Sequence, residues 1–133
     1  MPTPREDVKA RIDAIESSYE YFLAYAAQGL SSDQGAKSGA VLRDFLKKME
    51  TALDGLGAVL SDLVAKETLD PRAQWDEMIR VVSSDAADSL AAIRLVASRS
   101  GISSQLIDNL NANIHLRALL TDLFLVDDLI DKR

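Results

Sequence analysis

The chain has 133 residues, with 15 basic and 21 acidic side chains, a net charge of −6, 47% apolar content, one histidine and no cysteine. That length suits a single domain, residues 1–133, whose core needs no metal or disulfide staple, and the missing cysteines exclude thiolate catalysis, a disulfide framework and a zinc ribbon. The acidic balance argues against a binder of phosphate backbones, so no nucleic-acid partner is expected.

Few β-branched runs alternate with period two, and 6 glycines and 3 prolines are the only strong breakers, so the pattern is helical throughout. The first helix opens at Thr3-Pro4-Arg5-Glu6, where Thr3 caps, Pro4 takes the first helical position and Glu6 reaches back to the cap amide. Val8, Ile12, Ile15, Tyr19, Phe22 and Ala26 then step by fours and threes along one face, and Gly29 closes the helix.

A second long segment carries Leu42, Phe45, Met49, Leu53, Leu56, Leu60 and Leu63 in the same rhythm. Ser31 with Gln34, or Ser38, can cap it, because Gly35 and Gly39 each weaken an early helix by ~1 kcal/mol; residues 31–40 stay open at this level. Gly55 and Gly57 fall inside the pattern, where they permit close approach or mark a local weak point. The third helix is expected from an Asp70 cap and Pro71 to about Ser100, with Trp75, Ile79, Val82, Ala86, Leu90, Ile93 and Ala97 inward and Gly101 stopping it. Ser103 or Ser104 caps the fourth, which carries Leu106, Ile107, Leu110 and Ile114 and runs on to Ile130.

The connectors Gly29-Leu30-Ser31-Ser32 and Gly101-Ile102-Ser103-Ser104 share one recipe: glycine ends a helix, an apolar residue packs back and serine starts the next. Short links between long helices predict an all-α, antiparallel up-down-up-down four-helix bundle. The N-terminal residues mix charges and lack the apolar run of a secretory signal, and Leu116 to Ile130 is interrupted by Arg117, Asp122, Asp127 and Asp128. A cytoplasmic protein with no membrane partner is expected.

Catalytic spacing is sparse. No Glu-x-x-His pair, phosphate loop or nucleophile elbow is present, so neither a metal nor a cofactor is expected. Asp127-Asp128-Leu129-Ile130-Asp131 resembles the magnesium-diphosphate motif of isoprenoid synthases, but the second acidic cluster is absent and a solvated acidic edge explains the run. Arg117 shares a helical face with Leu110, Ile114 and Phe124, and folding back at Gly101 sets Asp85 opposite it. The pair reads either as a register-fixing ion bridge or as the centre of a polar pocket, in which Tyr19, Thr121 and His115 join Arg117 and Asp85 around an anionic ligand. His115 also reads as partly exposed surface, with Asp108 or Asn111 to orient it.

Drawn as one continuous helix, the last segment has two apolar stripes: Leu116, Leu119, Leu120, Leu123, Val126 and Ile130 lie almost opposite Ile114, Ala118 and Leu125. One core cannot absorb both, so the first set, with Tyr21 and Tyr25, is expected at a homo-oligomer interface, a dimer foremost. The reading is a noncatalytic, self-associating bundle serving as an interaction or accessory protein, with a larger protein as a further partner. The alternative is a small-molecule binder or minor enzyme around Arg117.

Overall fold

In the computed structural model of the chain, which describes residues 2–131, six helices and no strand are present among the described residues. They are α1 (Pro4–Ala27), α2 (Lys37–Leu53), α3 (Leu56–Lys66), α4 (Arg72–Ala97), α5 (Ser104–Asn111) and α6 (Ile114–Asp131). The second and fourth expected helices are therefore each broken in two.

The start of α1 follows its sequence. Thr3 Oγ1 accepts the Glu6 amide at 3.1 Å, and Glu6 Oε1 accepts the Thr3 amide at 3.1 Å, which satisfies two of the orphan donors of the first turn. The helix closes at Gln28, one residue before Gly29. For α2 neither Ser31 nor Ser38 is the cap: Ala36 precedes the helix and supplies no side-chain hydrogen bond. Gly39 is fixed by space, since a Cβ there would fall 1.9 Å from the Asp33 carbonyl oxygen.

The break between α2 and α3 is made by Gly55 at φ +78°, a left-handed geometry that glycine adopts without a Cβ clash. Arg11 of α1 donates from Nη1 to the carbonyls of Ala52 (3.2 Å) and Asp54 (2.5 Å), taking up acceptors that the helix end leaves open. Two residues on, Gly57 lets α3 press against α4, where a Cβ would meet Ser83 Oγ at 1.9 Å. The start of α4 lies one position later than expected, with Pro71 rather than Asp70 at the cap and no side chain bonded to it.

The second break falls at Ala112 and Asn113. Asn113 Oδ1 accepts the amides of His115 (3.0 Å) and Leu116 (3.2 Å), so its side chain starts a new helix in the middle of the expected one. Ser103 caps α5 in the same manner, its Oγ accepting the Leu106 amide at 3.0 Å.

Helices α1 and α4 each pack against both broken segments, α2 with α3 on one side and α5 with α6 on the other. Buried apolar side chains from all six helices join in one cluster. No helix of the described residues is long and apolar enough to cross a membrane.

Candidate functional site

The polar centre expected around Arg117 is not assembled. Arg117 is exposed, as are Thr121 and His115, and Tyr19 is half-buried against the core. Thr121 Oγ1 donates to the Arg117 carbonyl within its own helix at 2.9 Å, and His115 Nδ1 stands 3.6 Å from Asp88 Oδ2 rather than beside Asp108 or Asn111. The grooves lined by Trp75, by Ser32 and by Leu30 include none of the five proposed residues.

Asp85 faces Asp122 instead of Arg117, because the break at Asn113 turns α6 and shifts its level along α4. Burial first, then the hydrogen bond and the charge of Asp85, push the Asp122 carboxyl up to about 7. Asp122 Oδ2 is sealed from water and no donor reaches it, so the two carboxyls bond only with a proton between them. One turn further along α4, Ser89 is fully buried and its Oγ has no hydrogen-bond partner.

A second polar centre joins the two similar connectors. Ser104 N donates to the Leu30 carbonyl, and Leu30 N donates to Ser104 Oγ, each at 2.9 Å. Ser104 Oγ also donates to the Tyr25 carbonyl at 2.6 Å, while Tyr25 Oη donates to the Ile102 carbonyl at 2.7 Å. Asp33, nearly buried, accepts the Ile102 amide at 2.7 Å and Arg43 Nε at 2.8 Å. Burial alone would raise the Asp33 carboxyl, but Arg43 and the Ile102 amide outweigh it and hold the group below its usual range. Arg43 then donates to the carbonyls of Ala97 and Arg99, both at 2.8 Å, which ties α2 to the end of α4. Every group here is engaged by the chain itself, as in a structural clasp. The repeated Gly-apolar-Ser-Ser recipe was its trace in the sequence; Asp33 and Arg43 left none.

The outward surface of α6 corrects the expected interface. Leu116, Leu119, Leu120, Leu123, Val126 and Ile130 are 0 to 7% exposed and belong to the core of their own chain. Tyr25 is also fully buried, and Tyr21 is half-buried, stacked on Phe45 at 4.7 Å with its Oη donating to the Ser38 carbonyl at 2.6 Å. The six aliphatic side chains and Tyr25 are enclosed by their own chain and are not placed to meet a second copy. The physical reason is the break: a helix that restarts at Asn113 takes a new phase, so the stripe that would have pointed away from the α5 stripe turns inward with it. What stands outside is the other stripe, with Ile114 74% and Leu125 52% exposed and Ala118 half-buried, flanked by Phe124 at 59% and Leu129 at 44%. The asparagines at 109, 111 and 113, which weaken a helix, were the sequence signal of the break.

At its C-terminal end this face meets a groove of about 450 Å³ lined by Leu69, Pro71, Gln74, Trp75, Met78 and Leu129, with Glu67, Thr68 and Asp70 completing the wall. Arg5 holds Glu67 through two hydrogen bonds, at 2.9 and 2.7 Å, and reaches Asp131 at 3.1 Å. Lys9 binds Asp127 and, at 2.9 Å, Asp131. Two carboxylates of the Asp-Asp-x-x-Asp run thus anchor α6 to α1, and among the described residues no three His, Cys, Asp or Glu side chains are grouped to hold a metal ion. In comparisons with known proteins, no family model, curated protein or solved structure matches this chain.

Proposed function

We propose that the protein is a noncatalytic helical interaction module that associates with copies of itself through the outward face of α6. In this reading the six helices act as four antiparallel rods of a single domain, two of them broken, in the cytoplasm. The observation that carries it is the run of four large apolar side chains, Ile114, Phe124, Leu125 and Leu129, exposed along one helix. Scattered apolar residues on a surface need no explanation, but four large ones on the outward side of one helix, three of them within residues 124–129, support an interaction surface. A larger protein partner would use the same strip.

The alternative of a small-molecule binder or minor enzyme around Arg117 has less support, since Arg117 is exposed and Asp85 is turned toward Asp122. Solution mass tests the self-association reading. Light scattering over a concentration series is expected to give a mass above that of one chain at tens of micromolar, and Leu125→Glu is expected to return it to one chain. A single-chain mass throughout the series would remove the self-association reading.

A further inference from the structure

The α6 strip carries both halves of a contact. Ile114, at one end, is the most exposed large apolar residue of the strip, and Leu129, near the other, forms one wall of the groove completed by Trp75 and Met78. The two are 15 residues apart, about 22 Å along a helix. Between them lie the small residues Ala118 and Thr121.

We propose that two copies pair α6 against α6, antiparallel, about a two-fold axis at Thr121, each setting Ile114 into the partner's groove beside Leu129. This rests on the self-association reading above and adds the geometry of the contact. A two-fold axis brings together positions equally far from it. Ile114 is seven residues before Thr121 and Leu129 eight after; Ala118 is three before and Leu125 four after. A knob therefore meets a groove at both ends at once, and a small side chain meets a large one on either side of the axis, as a self-complementary interface requires. Charge follows the same symmetry: Arg117 of one copy falls about 4–5 Å along the axes from Asp128 of the other, within reach of a guanidinium. A parallel pairing would set Arg117 against its own copy and leave both grooves empty. The four exposed apolar side chains offer roughly 400 Å², about half of what each partner of a standard complex buries, so the groove walls are needed to complete the contact and the dimer is of modest affinity.

The full chain tests this by sedimentation and by cross-linking, with helix content followed by circular dichroism. Ile114→Asp, at an exposed site, is expected to weaken the dimer at least tenfold, and Arg117→Glu severalfold, with the added Asp128→Arg restoring what Arg117→Glu lost. Because the chain has no cysteine, Ala118→Cys mixed with Leu125→Cys should form a disulfide across the two copies on mild oxidation, while Ala118→Cys alone should not. A dimer insensitive to Ile114→Asp, or Ala118→Cys cross-linking with itself, overturns the antiparallel geometry while leaving self-association standing. A monomer at every concentration removes both.

Discussion

The two broken segments solve the same problem with opposite consequences. Across the Gly55 break the apolar steps continue without a slip, from Leu42, Leu46, Met49 and Leu53 into Leu56, Leu60 and Leu63, and all seven are buried. Across the Asn113 break the phase jumps: Ile107 and Leu110 are followed by Leu116, Leu119 and Leu123, and the apolar residues that kept the old rhythm, Ile114 and Leu125, are left outside. A left-handed glycine bends the chain and spares the stripe, whereas an asparagine cap starts a new helix with its own orientation. The difference teaches that surplus apolar surface arises where the phase of a helix resets, which is why α6 and not α3 leaves large apolar side chains outside.

The largest effect is expected from setting the two α6 faces against each other. Leu123→Ala, fully inside, should lower unfolding free energy by about 2–5 kcal/mol in urea titrations, and Leu125→Ala, outside, by less than about 0.5 kcal/mol when both are measured at concentrations where the chain is single. Equal losses at both positions would dissolve the distinction between the faces. Next comes the close approach beside the first break: Gly57→Ala should lose about 1–3 kcal/mol because Ser83 must move.

Acidity probes the new register of α6. With the Asp122 carboxyl raised to about 7, the folded chain keeps a proton that the unfolded chain releases above about pH 4. Stability from this group is therefore full at low pH, falls as pH rises from about 4 to 7, and is flat above, a change on the order of 1–3 kcal/mol. Asp122→Asn should abolish that slope in denaturation midpoints measured at several pH values, and Asp85→Asn should reduce it; an unchanged slope in Asp122→Asn would mean that the Asp122 carboxyl is not raised. Asp33, held low, has the opposite sign, and its contribution is lost as pH falls through its folded value.

Smaller effects are expected at the breaks themselves. Gly55→Ala and Asn113→Ala should each cost about 1 kcal/mol, the first through a strained positive φ and the second through a lost cap, with Asn113→Ser retaining most of the cap energy. Thermal melts resolve both, since 1 kcal/mol moves the midpoint of a chain this size by a few degrees.

Local chemistry made much of the fold legible. The capping box at Thr3 and Glu6 and the Ser103 cap depend only on neighbours in the chain and appear where the sequence puts them; the apolar steps of α1 and α4 are buried for the most part, but Tyr25 and Val96 lie in the core while Tyr19, Ala26, Ile79 and Ala97 are half-buried. The candidate site was less legible, because which stripe of α6 faces inward depends on a single side chain, Asn113, accepting two amides. With a continuous helix assumed, Arg117 falls opposite Asp85; with the break, Asp122 takes that place.

By itself, then, the sequence determined that the chain is helical, where α1 and α5 begin and, to within one residue, α4, and that its last third carries more apolar surface than one stripe needs. Only the tertiary structure decided which of those side chains the core takes, and that the similar connectors clasp each other through Ser104, Asp33 and Arg43. The reason is physical: periodicity and caps act over a few residues, whereas the phase between helices and the pairing of buried polar groups are fixed by contacts between parts of the chain some seventy residues apart.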